Sequence, residues 1–277
     1  DPFTTDISNP GSYTFVTTYI DDYQGWDYVG KDNIPNDENG HGAHVAGTIA
    51  ASGNNSKGII GIAPSASVMV LKTLAGNGGG TMTDIISAID YAINQGADII
   101  NMSLGSDTRE SVDLSNDAIN IIQNNLFSEA KNQGIVVCIA AGNSRADHSK
   151  NNYSIPGEVY SSDLTKAYSP AWFSGIHTNL ITVSATTWGS ANGEKRNGAS
   201  WQSAPFSESL ANFSNFSARK ANIITVGAPG VHMYSLSHTS DTGYITKQGT
   251  SMATPVVSGL AALIIGINDN LSPEEVV

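Results

Sequence analysis

A single cysteine, Cys138, stands in the 277 residues, so no disulfide can form within the chain. Cations are also scarce, with 13 Lys and Arg against 25 Asp and Glu and a formal net charge of −12. That balance argues against nucleic acid or an anionic membrane as a partner, because both attract clustered Lys and Arg. No apolar run approaches the ~20 residues that cross a bilayer. The HGAH histidines are spaced i, i+3, and no HExxH pairs two histidines around a glutamate, which removes the usual helical zinc-protease site. No GK[ST] follows the glycines at 78–80, so they do not open a phosphate loop.

What is present is a core-forming pattern. With 40% apolar residues and neither linker nor repeat, the chain can bury the interior of one domain. Strand-like IIGIAP, SVMVLKT, ADIINMSLG, IVVCIAA, LITVSAT and NIITVGAP are interspersed with helix-like TDIISAIDYAIN and SNDAINIIQNNLFSEAKNQG. Such alternation predicts an α/β three-layer sandwich with a mostly parallel central sheet and functional loops at the carboxyl ends of the strands. Ile85, Ile86, Ile89 and Ile93 share one helical face and read as core. Residues 145–179 and 187–210 are polar and rich in Gly and Ser, and read as long surface loops. Cys138 sits in an apolar strand and reads as inert packing.

Three short stretches carry chemistry. GTSMATP, Gly249–Pro255, places Ser251 at the start of an apolar helical run, where it would cap the helix. A serine hydroxyl needs a neighbouring base to act as a nucleophile, and His41 of HGAHVAG is the proposed base. IVVCIAAGNS ends a buried strand with Asn143, whose carboxamide could stabilise an oxyanion.

Together these motifs resemble those of the subtilisin-like serine proteases, the subtilases. The match departs from the family at Ala43, where Thr is usual, and after Pro255, where Val256 replaces His. The resemblance implies a serine endopeptidase forming an acyl-enzyme through Ser251. His41 is then the base, His44 is structural, and Asn143 shares the oxyanion with the Ser251 backbone N–H. It further implies that NMSLG, with Ser103, Leu104 and Gly105, and LAGNGGG, with Gly78, Gly79 and Gly80, flank an extended protein or peptide substrate. An inhibitory propeptide, an extracellular location and structural calcium belong to the same implication. The chemistry itself requires no cofactor. The calcium reading falls on the acidic stretch that begins at Asp21 and Asp22, where oxygen-rich loops suit that ion.

The aspartate that orients the base is harder to place. Subtilases carry it at the end of an early apolar strand, before Thr or Ser and Gly, and no such strand is visible here. Asp6 lies 35 positions before His41, but FTTDIS lacks the apolar approach and the glycine. The expectation is therefore an aspartate strand upstream of residue 1 and a chain cut at both ends. At the far end LSPEEVV signals a further helix, with Ser272 as cap and Pro273 at its first position. A catalytically silent, peptide-binding subtilase fold and a transpeptidase on the same site are the alternatives.

Overall fold

The computed structural model describes residues 3–5, 13–15, 19, 21–105, 118–145, 170–188, 208–216 and 225–277. In chain order these form β1 (Phe3–Thr5), β2 (Tyr13–Phe15), β3 (Gly25–Asp27), α1 (His41–Ala50), β4 (Val70–Lys72), α2 (Met82–Asn94) and β5 (Ile99–Met102). There follow α3 (Ala118–Asn132), β6 (Val136–Ala140), a 3-10 helix (Ala171–Gly175), β7 (Leu180–Trp188), β8 (Glu208–Leu210), β9 (Val226–Pro229), β10 (Met233–Leu236), β11 (Tyr244–Lys247), α4 (Thr250–Ile267) and α5 (Pro273–Val276).

Strands β5, β6, β7 and β9 run parallel in one sheet, and β8 adds antiparallel to the end of β7. The fold is thus the α/β sandwich with a mostly parallel sheet that the alternation of elements predicts. Period-two alternation along β6 explains the layers. Val137 and Ile139 pack toward Ile86, Ile89 and Ile93 of α2 and Phe127 of α3. Val136 and Cys138 turn to the opposite face, against Ala253 and Val257 of α4. Every residue of β6 is buried, as a central strand covered on both faces should be. Burial also pushes the Cys138 thiol up to about 12, in keeping with inert packing.

Helix α4 has the length and composition to cross a membrane, with a mean hydropathy of 1.7 over 18 residues. This qualifies the expectation of no membrane-length apolar segment. Here α4 packs along β5, β6, β7, β9 and α1 as the inner helix of the sandwich.

The sheet is interrupted. β3 and β4 form a separate parallel pair, and among the described residues no ladder joins β4 to β5. Val70 and Leu71 on one side and Ile99 and Ile100 on the other line a common cavity of about 1930 Å³, with Ile85 of α2 and Leu263 of α4 on its walls. Val68, Met69 and Val70 are each more than a third exposed beside it, unusual for residues at the strand of an α/β sheet. An apolar slot thus separates β4 from β5.

Three sequence expectations are corrected. IIGIAP, residues 59–64, is not a strand. The N–H groups of Gly61, Ile62 and Ala63 instead donate to the carbonyls of Ala51, Thr48 and Ile49, satisfying the unpaired end of α1. Within 145–179, the 3-10 helix and the residues after it contribute to the core, with Ala171, Phe173, His177 and Asn179 buried, while Ile176 stays exposed. Within 187–210, β7 continues to Trp188 and pairs with β8. Residues 146–169 and 189–207 lie outside the described residues. At the other end, α5 starts with the capping box Ser272–Glu275, as LSPEEVV predicts.

Candidate active site

Ser251, His41 and Asn143 converge from three elements onto the walls of one cavity. Each is delivered by a local rule. Asn143 follows the buried β6 by three residues, in a turn clamped by Asn215. That side chain donates to the Ala141 carbonyl at 2.7 Å and accepts from Ser144 N at 3.0 Å. His41 opens α1, directly after Gly40 at φ 83°, a left-handed conformation where an added Cβ would lie 2.3 Å from the His238 ring.

Ser251 is the second residue of α4, two places beyond the cap. Gly249, at φ 148°, is the N-cap residue, and it supplies no side chain. Capping comes from outside: Asn143 Oδ1 accepts from Thr250 N at 2.8 Å and from Thr250 Oγ1 at 3.0 Å. With its oxygen so held, the Asn143 amide must present Nδ2 on the other side. Neither Asn143 Nδ2 nor the Ser251 backbone N–H has a hydrogen-bond partner among the described residues. Two donors, one of them in the first turn of an 18-residue helix, are thus left for an incoming anion.

The nucleophile's carbonyl has a partner for a sequence reason. Pro255 lacks the N–H that would bond Ser251 O four residues earlier. Ser103 Oγ fills that place at 2.9 Å, and Asn101 Nδ2 in turn donates to Ser103 Oγ at 3.0 Å. Ser258 Oγ completes the relay by donating to Asn101 Oδ1 at 2.8 Å. Sequence reasoning did not find Thr250, Asn101, Ser258 or Asn215 as supports. Asn101 appears in the sequence reading only within the NMSLG rim, and Asn215 not at all.

The Ser251 hydroxyl donates to the Ser103 carbonyl at 3.2 Å, and no hydrogen bond links it to His41. Burial, reinforced by the charge of Lys247 and partly offset by Asp37, holds the His41 imidazole below its ordinary 6.5, so the ring is neutral and able to accept a proton at pH 7. Asp37 is near but committed elsewhere. Its Oδ1 accepts from Asn39 N and Gly40 N, and its Oδ2 accepts from Ala43 N at 2.7 Å, which caps α1. Asp6 lies outside the described residues. His44 is buried, its Nε2 3.0 Å from the Met233 carbonyl, which fits its structural reading.

Ser103, Leu104 and Gly105 line the cavity on one side and Gly78, Gly79 and Gly80 on the other. The glycine rim is a closed turn, with Ala75 N donating to Gly79 O and Gly78 N to Ala75 O. Asn39 Nδ2 ties it to the base by donating to Gly76 O at 2.9 Å.

The carboxylates of the acidic stretch are largely engaged within the chain. Asp22 accepts a hydrogen bond from Tyr91, Asp27 pairs with Lys72 at 2.8 Å, and Asp21 turns at positive φ. Among the described residues no group of three or more His, Cys, Asp or Glu side chains that could hold a metal ion gathers at Asp21 and Asp22.

The sandwich, the helix-borne serine and the paired donors define the architecture of the subtilases, and the chain belongs to that family, whose model matches residues 3–277. Among relatives, it is 35% identical over 240 residues to thermitase of Thermoactinomyces vulgaris, covering 87% of this chain and 66% of that protein. Subtilisin DY of Bacillus licheniformis is 33% identical, with 91% of this chain and 73% of that protein covered. A cold-adapted subtilisin-like serine proteinase of known structure superposes with a TM-score of 0.63 at 28% identity, over 91% of this chain and 70% of that one.

Proposed function

We propose that the protein is a serine endopeptidase and that residues 1–277 belong to its catalytic domain. The observation that carries this is the pair of unpartnered donors, Asn143 Nδ2 and Ser251 N–H, beside a serine hydroxyl and a neutral imidazole in one open cavity. A peptide extended between the Ser103–Gly105 and Gly78–Gly80 rims would bring its carbonyl carbon to Ser251 Oγ. The hydroxyl then leaves its bond to Ser103 O and gives its proton to His41 as Oγ attacks. The two donors receive the oxyanion; His41 returns the proton to the departing amine, and water on the acyl-enzyme repeats the sequence in reverse. No step requires a cofactor. Family membership supports protein or peptide substrates, an inhibitory propeptide and an extracellular location.

The orienting carboxylate is assigned to a strand filling the slot between β4 and β5. Residues of β4 and β5 line the same cavity as His41, so a strand filling the slot would lie on the side of the site that holds the base. The silent alternative draws on the Ser251 bond to Ser103 rather than to His41. A fluorophosphonate separates the readings, since it labels only an activated serine. The expected result is modification of Ser251 in the full-length protein, located by peptide mapping; an unlabelled but folded protein would leave the peptide-binding reading standing.

A further inference from the structure

On the far side of the reacting atoms lies a second cavity of about 490 Å³, which shares His41, Asn143 and Ser251 with the first. The rims that flank the extended substrate in the endopeptidase reading belong to the first cavity only. A substrate whose acyl half lies between those rims leaves the second cavity for the residues that depart with the amine. Its remaining walls are His232, Thr246, Lys247, Gln248 and Met252.

The charge of this cavity runs against that of the molecule. Acids outnumber Lys and Arg 25 to 13 over the chain, yet among the described residues no Asp or Glu lines the cavity and its titratable groups are basic. Lys247 is the permanent cation among them. It ends β11, in register with Met233 of β10, so a hairpin fixes the base of its side chain two residues from the α4 N-cap. Among the described residues no carboxylate forms an ion pair with it. The ammonium is close enough to His41 for its charge to be felt there, second only to burial.

We propose that Lys247 makes the protein select substrates with an acidic side chain directly after the scissile bond. This deepens the endopeptidase reading and rests on it. A substrate carboxylate entering the cavity would meet an unpaired ammonium and no competing acid, whereas a substrate Lys or Arg would face repulsion from Lys247. The cavity is open to solvent, so the pair is screened and the preference is modest, on the order of fivefold in kcat/KM for Glu over Lys.

The test uses internally quenched peptides of one sequence that differ only in Glu, Gln or Lys after the cleaved bond, with the full-length protein at low salt. Glu is expected to lead, Lys247→Met to bring the three rates together, and Lys247→Glu to reverse their order. A side chain that served only to support the hairpin would lower all three rates in parallel and leave their ratio unchanged. Equal rates in the parent protein, or a ratio indifferent to Lys247, would overturn the inference while leaving the protease intact. Absence of cleavage together with an unlabelled Ser251 would overturn both. For a protein that labels but turns over slowly, binding of the same peptides to Ser251→Ala reads the same ratio.

Discussion

Asn143 has two tasks that depend on opposite ends of one amide. Its oxygen terminates α4 through Thr250, and its nitrogen is left for the substrate. Replacing Asn143 with Leu removes both, but the oxyanion bond forms chiefly in the transition state. The variant is expected to lose about a hundredfold or more in kcat with little change in KM. A kinetic series in which KM rises and kcat holds would assign the side chain to ground-state binding instead. Thr250 is a useful contrast. It is fully buried and its hydroxyl accepts from Gly142 N at 3.1 Å, so it holds the donor without touching substrate. Ser251, His41 and Asn143, which the structure brings to one cavity, were legible from three motifs. Their supports were not, because Asn101, Ser258 and Asn215 act through contacts between residues far apart in sequence, which no local pattern encodes.

At the scale of elements, periodicity located most of the helices and the core strands because each has a face or a run to bury. It failed at IIGIAP, where an apolar run serves a helix end rather than a ladder, and in 170–179, where polar letters such as His177 and Asn179 are buried by specific bonds. His177 Nε2 meets Asn124 Oδ1 at 2.9 Å, and Asn179 Nδ2 donates to Ile135 O at 3.0 Å. The slot between β4 and β5 is the element-scale counterpart of the missing carboxylate. Comparing the 277-residue chain with a version extended upstream by its own coding sequence should show two gains at once. Turnover of a chromogenic peptide should rise by about four orders of magnitude if the added strand brings the orienting acid. Thermal stability should rise too, as an apolar slot and two open strand edges are filled. If the short chain already matches the long one, the carboxylate lies within residues 1–40, and Asp6 becomes the residue to replace.

The whole molecule reports its buried charges through pH. His41, His44 and His177 are all held below their ordinary 6.5, chiefly by burial. The unfolded chain therefore takes up protons before the folded one does, and stability present above pH 6.5 is lost as pH falls through the lowered values. A second stage follows. Burial raises Asp27 and Asp37, but Lys72 and backbone N–H groups outweigh it for the first and backbone N–H groups for the second, leaving both below 3.8. Lys131 holds Glu274 down to about 2. These carboxylates contribute above their unfolded values and fail as pH drops through the folded ones. The melting temperature should thus decline in two steps, starting near pH 6.5 and again below about pH 4; a flat profile from pH 8 to 5 would remove the histidines from the account. Helix α4 adds a constraint of another kind, one of timing. The segment that carries the nucleophile is also the inner layer of the sandwich, and it is made after β5, β6 and β7 have already left the ribosome. Until it docks, one face of the sheet is bare and Asn143 Oδ1 lacks the Thr250 groups that hold it. On the endopeptidase reading, the same late helix that completes the core also completes the site.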